Sequence, residues 1–219
     1  MLDSPIPSAP TTLYARVFKR LADLLASVIL LVILLPVMAL VAAAVRLILG
    51  PPVVFRDERA GRGGVPIRIA KFRSMSQATD ATGQPLPDSA RLGAFGRVLR
   101  RTSLDELPQL FSVLRGDMSL IGPRPLPMRY VPRYNPRQAA RLLVRPGLTG
   151  WAQVHGRNAV AWPERLEFDA RYVEMLGRPG APFTDLWIVS LTALQMVVQA
   201  ITGRGIAAPG ASTMQEFAP

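Results

Sequence analysis

The densest run of reactive side-chain types is Arg100-Arg101-Thr102-Ser103-Leu104-Asp105-Glu106-Leu107-Pro108-Gln109-Leu110. Two adjacent carboxylates follow two arginines, which is the equipment for attack of an ionised carboxylate on an anionic phosphate. The repulsion in such an attack is manageable only with guanidinium groups, and a divalent cation, to neutralise phosphate oxygens. A plainer reading competes: Ser103 and Glu106 stand three apart as in a capping box, and acids suit the positive end of a helix dipole. Pro108 favours something less regular, because it removes a helix hydrogen bond and bends the chain where the acids lie. Adjacent side chains on an ideal helix point well apart, so a cooperating dyad needs such an irregular or terminal position.

Two downstream segments add donors. Gly116-Asp117-Met118-Ser119-Leu120-Ile121-Gly122-Pro123-Arg124-Pro125 sets Arg124 between two prolines, whose fixed φ angles restrict where the guanidinium points. The stretch from Pro146 to Asn158 offers two glycine turns, an aromatic plate in Trp151, and amide or guanidinium donors in Gln153, Arg157 and Asn158. It reads as a candidate nucleotide pocket, with Trp151 equally suited to a core. The chain has no cysteine and one histidine, His155, which removes thiolate catalysis, disulfides and multi-His metal sites. A catalytic metal would be held by oxygen ligands, as Mg²⁺ usually is. Lys and Arg number 26 against 15 Asp and Glu, a net charge of +11, so partners are expected to be anionic. Nucleic acid, an acidic membrane face and a phosphorylated substrate all satisfy that.

At 219 residues the chain suits one catalytic domain plus a short membrane element. No charge occurs from Leu24 to Val45, a run that as a helix covers roughly 33 Å, about the hydrocarbon thickness of a bilayer. A cleaved signal peptide has a shorter apolar region than this. Pro36 near the middle predicts a bend, and Arg16, Lys19 and Arg20 before the run are matched by Arg46, Arg56, Arg59 and Arg62 after it. Positive charge on both flanks gives a spanning helix no preferred orientation, and suits a re-entrant helix that bends at Pro36 and returns to the same face. On these features alone a kinked spanning helix fits as well.

The apolar stretch Phe183 to Ile201, interrupted by Asp185, Gln195 and Gln199, reads as an interfacial or packing helix. Val53-Val54-Phe55 and Pro66 to Phe72, separated by Gly61-Arg62-Gly63-Gly64, read as a β-hairpin; no Gly-Lys-Ser/Thr follows, so the glycines form a turn and not a phosphate loop. Gln77 to Ala90 is a polar loop able to order on substrate binding. Asn135-Pro136 predicts a helix start, with Arg137, Arg141 and Arg145 along one face and no carboxylate within that stripe. A second helix is expected from Pro163 to Glu174, with Leu166, Ala170 and Val173 inward and the pairs Arg165/Asp169 and Glu167/Arg171. The ends, Met1 to Pro10 and Ile206 to Pro219, read as flexible.

Taken together, S-L-D-E-L-P-Q-L, G-D-M-S-L-I-G-P-R-P and R-P-G-L-T-G-W-A-Q-V-H-G-R-N, with Lys71-Phe72-Arg73-Ser74-Met75 after the hairpin, resemble the bacterial sugar transferase family, the small monotopic phosphoglycosyl transferases. The resemblance extends from about Phe18 to about Ile201. It implies a mainly α fold with a small β-hairpin, in which a re-entrant (monotopic) membrane helix holds a compact cytoplasmic catalytic domain with interfacial helices. The expected division is an N-terminal segment 1–20, the membrane helix 21–50 kinked at Pro36, the catalytic domain 51–205 and a flexible tail 206–219. The implied activity is transfer of a sugar 1-phosphate from a UDP-sugar to polyprenyl phosphate, releasing UMP, at the cytoplasmic face of the bacterial inner membrane with the carrier in the inner leaflet.

Carried onto this chain, the resemblance makes Asp105 the nucleophile of a covalent phosphosugar intermediate, with Glu106 orienting the dyad or acting in proton transfer. Asp105 and Glu106 would hold Mg²⁺, Arg100 and Arg124 would hold phosphate, and Gln153, Arg157 and Asn158 would contact nucleotide or sugar. Leu35 stands where many relatives place Ser before the helix proline, and His155 where they often place Asn; a space-filling role is the preferred reading of His155. The alternative is a non-catalytic anchored protein whose arginines bind anionic lipid or nucleic acid. It gives no reason for the acidic pair beside a proline-fixed arginine, and no nucleic-acid-binding motif is present.

Overall fold

The computed structural model describes residues 6–156, 160–202 and 217. After a π-helical turn at Tyr14–Phe18, helix α1 runs from Lys19 to Ile48. It passes through Pro36 without interruption, so the expected bend does not divide it into two helices. One stripe of α1 is buried, Lys19, Asp23 and Ser27 in its first half and Met38, Val41 and Val45 in its second, at the three- and four-residue spacing of a helix face. The remaining faces carry exposed Leu25, Val32, Ile33, Leu35, Leu40 and Leu47.

Both ends of α1 are tied to the body that follows. At the start, Arg20 donates to the carbonyls of Val113 at 2.6 Å and Leu114 at 2.9 Å, and Asp23 accepts from the backbone N–H of Leu120 at 3.0 Å. Lys19 pairs with buried Asp185 at 2.7 Å, and Asp185 also accepts from the hydroxyls of Tyr14 and Tyr172. At the far end Arg73 donates to the carbonyls of Leu49, Gly50 and Pro51.

Strands β1 (Val54–Ala60) and β2 (Pro66–Phe72) form the expected antiparallel hairpin, in register from Val54↔Phe72 to Ala60↔Pro66. Successive side chains of a strand face opposite ways. Phe72 therefore packs with Met38, Val41 and Val45 of α1 and with Leu99, while Ile67 and Ile69 join Val113 and Met118 on the other side. Lys71 belongs to that second row, next in the alternation after Ile67 and Ile69.

Helices α2 (Asp88–Arg91) and α3 (Ala94–Arg101) lead into a 3₁₀ segment, Leu104–Gln109, and then α4 (Leu110–Arg115), closed by Gly116 at φ 91°. A second sheet went unread: β3 (Ser119–Ile121) pairs in parallel with β4 (Gly147–Thr149). The glycines around it are not turns. A Cβ on Gly147 would lie 2.1 Å from the Gly122 nitrogen, and one on Gly150 would lie 2.1 Å from the Gly122 carbonyl oxygen. Both are needed for close backbone approach.

Helix α5 (Pro136–Ala139) starts as expected on a capping box between Asn135 and Gln138, then tightens to a 3₁₀ turn at Ala140–Leu143. The arginine face predicted there is corrected. Arg137 bridges Glu167 at 2.6 Å and Glu174 at 2.9 Å, buried Arg141 pairs with buried Asp169 at 3.2 Å, and Arg145 donates to the Gly116 carbonyl. The carboxylates absent from the stripe come from another helix, α7 (Trp162–Leu176), in which Leu166, Ala170 and Val173 are fully buried and Glu167 pairs with Arg171.

Short α6 (Trp151–Val154) and long α8 (Ala181–Thr202) complete the fold, with Ile121, Val154, Tyr172, Val173 and Ile188 in one core. α8 buries Asp185 and exposes Phe183, Leu186, Trp187, Leu194 and Val197. Thus α1 and α8 are two helices long and apolar enough for a membrane. The tail expected to be flexible contains one fully packed residue, Phe217, 2% exposed.

Candidate active site

The acidic pair sits at the break between α3 and α4, and Ser103 makes the break. Its φ of 56° is left-handed, the only such value for a non-glycine among the described residues, and a conformation unfavourable to side chains. Ser103 makes no side-chain cap, and its carbonyl accepts from the Glu106 N–H at 3.1 Å. The capping-box reading of Ser103 and Glu106 is thereby corrected: Glu106 does not reach back to the backbone. Pro108 lies within the 3₁₀ turn, which carries both acids against the hairpin.

Glu106 is held by two cations. Oε1 accepts from Lys71 Nζ at 2.9 Å and from an Arg124 nitrogen at 2.5 Å, and Oε2 accepts from the second Arg124 nitrogen at 3.3 Å. Burial works against ionisation of this carboxyl, but Arg124 and then Lys71 outweigh it and hold it well below the usual carboxylate range. Arg124 in turn is raised, first by the charge of Glu106.

Asp105 has the opposite environment. It is 7% exposed, and no hydrogen bond reaches its carboxylate among the described residues. Burial, and then the charge of Glu106, push its pKa up to about 6, against the pull of Lys71, Arg100 and Arg124. Two neighbouring carboxylates with divergent proton affinities commonly divide roles in catalysis. Here Glu106 is held ionised as a strut, and Asp105 is a largely buried carboxylate able to act as nucleophile or metal ligand.

The arginines take distinct positions. Arg100, at the end of α3, donates from Nε to Ser74 Oγ at 3.0 Å and keeps its two Nη groups without a bond among the described residues. Arg124 is aimed by Pro123 and Pro125, and its carbonyl accepts from Arg141. Buried Gln153 lies behind this loop: a Cβ on Gly150 would be 3.0 Å from its Oε1, and neither Oε1 nor Nε2 has a partner among the described residues. Arg157 and Asn158 lie outside the described residues, and Pro36 lies inside α1. Trp151 packs at the edge of the core, and His155, which is exposed, lies with its ring 4.1 Å from that of Trp151 and 5.1 Å from that of Phe168.

Lys71 was missed as a site residue, although it stood in the quoted Lys71 to Met75 segment. The available signal was the alternation Ile67, Ile69, Lys71, which puts a charge on an otherwise apolar strand face. The donor set suits Mg²⁺ in kind, since that ion usually takes one or two carboxylates and completes its shell with water and substrate phosphate. Asp105 carries free oxygen lone pairs, and Glu106 is its adjacent second carboxylate. Among the described residues there is no larger acidic or histidine cluster.

Comparisons with known proteins identify the family. The family model described as bacterial sugar transferase matches residues 14–199. The chain is 46% identical over 182 residues to an uncharacterized sugar transferase, EpsL, of Bacillus subtilis (strain 168), covering 83% of this chain and 88% of that one. It is 36% identical over 201 residues to the UDP-glucose:undecaprenyl-phosphate glucose-1-phosphate transferase of Escherichia coli (strain K12), covering 87% of this chain and 42% of the relative. With the UDP-N-acetylgalactosamine-undecaprenyl-phosphate N-acetylgalactosaminephosphotransferase of Aeromonas hydrophila it is 38% identical over 204 residues, 90% of this chain and 46% of the relative. The chain thus spans less than half the length of these two transferases and most of the Bacillus protein. With the match covering the hairpin, the acidic pair and the Arg124 loop alike, the chain belongs to the bacterial sugar transferase family.

Proposed function

We propose that the chain transfers a sugar 1-phosphate from a UDP-sugar to polyprenyl phosphate, with Asp105 as nucleophile. The observation that carries this reading is Asp105 itself, a buried carboxylate that accepts from no donor among the described residues and is flanked electrostatically by Lys71, Arg100 and Arg124. Ionised Asp105 attacks the β-phosphorus of the UDP-sugar. The bond from that phosphorus to the bridging oxygen breaks, and UMP leaves with the oxygen and its electron pair. A phosphate oxygen of the carrier then attacks the same phosphorus, which frees Asp105 as a carboxylate and yields the polyprenyl diphosphate sugar.

An anion stripped of hydrogen bonds is a more reactive nucleophile, and the surrounding cations offset the charge of the phosphoryl group as it transfers. The Nη groups of Arg100 are available to phosphate. Glu106, kept ionised by its two partners, positions Arg124 and Lys71; a group so firmly charged is poorly matched to proton transfer near neutral pH. Asp105 and Glu106 would hold Mg²⁺, which when bound neutralises part of the diphosphate charge. Gln153, with Arg157 and Asn158 on the same segment, is assigned to nucleotide or sugar contacts. Support for the substrates comes from the relatives, whose names specify UDP-glucose, UDP-N-acetylgalactosamine and undecaprenyl phosphate.

The same proposal places α1 as a re-entrant helix at the cytoplasmic face of the inner membrane, with α8 at the interface. Both ends of α1 are anchored on one body while its middle exposes leucine, isoleucine and valine. The basic lipid- or nucleic-acid-binding alternative loses its main support, because Arg137 and Arg141 are neutralised by carboxylates of α7. The test is UMP release from a panel of UDP-sugars with Mg²⁺ and polyprenyl phosphate. Repeated turnover by the native chain that needs the carrier, beyond a single UMP per protein released without it, is expected, and both are lost in Asp105→Asn and on chelation. Release that persists in Asp105→Asn refutes the assignment.

A further inference from the structure

Phe217 packs against the segment that follows the active-site arginine. The ring of Phe217 fills an aromatic box, with centroids 5.4 Å from Trp162, 5.6 Å from Tyr130 and 6.0 Å from Tyr134, over buried Leu126 and Leu166. Its backbone is held as well: the N–H donates to the Tyr130 hydroxyl at 3.2 Å, and the carbonyl accepts from Arg133 at 2.7 Å. A side chain bound on every edge and by both backbone groups is a specific seat, not an incidental contact.

Two routes connect that seat to Arg124. Leu126 lies two residues beyond Arg124 across Pro125, and its carbonyl accepts from the Ala60 N–H at 2.9 Å, which fastens the loop to the hairpin. Tyr134, on the other side of Phe217, accepts from Arg141 at 3.3 Å and presents its ring 5.7 Å from that guanidinium. Arg141 donates to the Arg124 carbonyl, and Arg124 holds Glu106. The chain of contacts therefore runs from Phe217 through Tyr134 and Arg141 to the backbone of Arg124, with a parallel path through Leu126.

We infer that Phe217 is a positioning residue for Arg124. The inference rests on the reading of Arg124 as a phosphate holder in the proposed reaction. Removing the ring leaves a void against Leu126 and Tyr134, and small misplacements of a group that contacts transferring phosphate are costly in rate.

The test is a double-mutant cycle on the full-length enzyme, reading UMP release from a UDP-sugar that the native chain uses. Phe217→Ala is expected to lower kcat/KM by about tenfold in the native background and by less than about twofold in Arg124→Lys, the non-additivity expected of groups acting through one another. Phe217→Leu, which keeps apolar volume, is expected to recover most of the activity; if Phe217→Ala fails to fold, the milder truncation Phe217→Val carries the cycle. Equal losses in both backgrounds would mean a purely structural role and overturn the proposal, as would no loss at all. If the native chain releases UMP but Phe217 has no effect, only this inference falls. If the native chain releases none from any UDP-sugar, the reaction assigned to the site falls with it.

Discussion

Replacing Asp105 by Asn is expected to stabilise the protein above neutrality while abolishing its chemistry. The carboxyl titrates near 6 in the folded chain against an ordinary value of 3.8. A folded value above the unfolded one means that the native state binds the proton more tightly between those two pH values. Stability is then greatest below pH 3.8, declines as pH rises toward 6, and levels off above it. A difference of about 2 units corresponds to about 3 kcal/mol of destabilisation once Asp105 is ionised. The Asn variant carries no such charge, so it regains up to that amount at pH 8 and about a third of it at pH 4.5. For a chain of this size the gain at pH 8 amounts to roughly 6–12 °C in Tm. The assay is thermal unfolding of the detergent-solubilised protein at both pH values, with a chelator so that no divalent cation neutralises the site. An equal Tm difference at the two pH values, or an Asn variant less stable at pH 8, would refute the argument that Asp105 is an unsatisfied buried anion.

Glu106→Gln acts in the other direction: it leaves Lys71 and Arg124 without their shared anion, and a loss of about 2–4 kcal/mol in stability is expected together with loss of turnover, checked by denaturant unfolding and UMP release. Because the Glu106 pKa is lowered on folding, the stability it provides is present at neutral pH and disappears under strong acid, so the Gln penalty should shrink as pH falls. At Ser103 the left-handed backbone predicts a split outcome, with Ser103→Val costing about 1–2 kcal/mol and Ser103→Gly close to neutral; equal effects in thermal unfolding would remove the argument for strain. Labelling each terminus from one side of sealed membrane vesicles should find both on the cytoplasmic face, and a terminus on the other face excludes a re-entrant α1.

Much of this was legible because the signals were local. The hairpin showed itself by two short apolar runs around Gly61 to Gly64, and α7 by the spacing of Leu166, Ala170 and Val173. The dyad stood out because Pro108 disqualified a regular helix around it. What was hidden depended on contacts distant in sequence. Lys71 meets Glu106 across 35 positions, and Arg137 finds Glu167 across 30, so the arginine stripe looked unpaired when its partners lay on α7. Strands β3 and β4 are too short to leave a period, and the glycines beside them read as turns because close backbone approach and a turn call for the same residue. Ser103 gave no hint of a left-handed φ, since that conformation is imposed by the junction and not preferred by serine. Phe217 is an isolated aromatic in a tail of Pro, Ala, Ser and Gly, and only its pocket reveals why it is there.

The most direct measurement is intact-protein mass spectrometry after incubation with a UDP-sugar the enzyme uses and Mg²⁺, in the absence of polyprenyl phosphate. The account predicts at most one UMP per protein and a mass increase equal to one sugar phosphate, mapped to Asp105, discharged on adding the carrier and missing in Asp105→Asn. UMP release that strictly requires the carrier, with the protein mass unchanged throughout, would contradict a covalent role for Asp105 and indicate direct transfer between the two substrates.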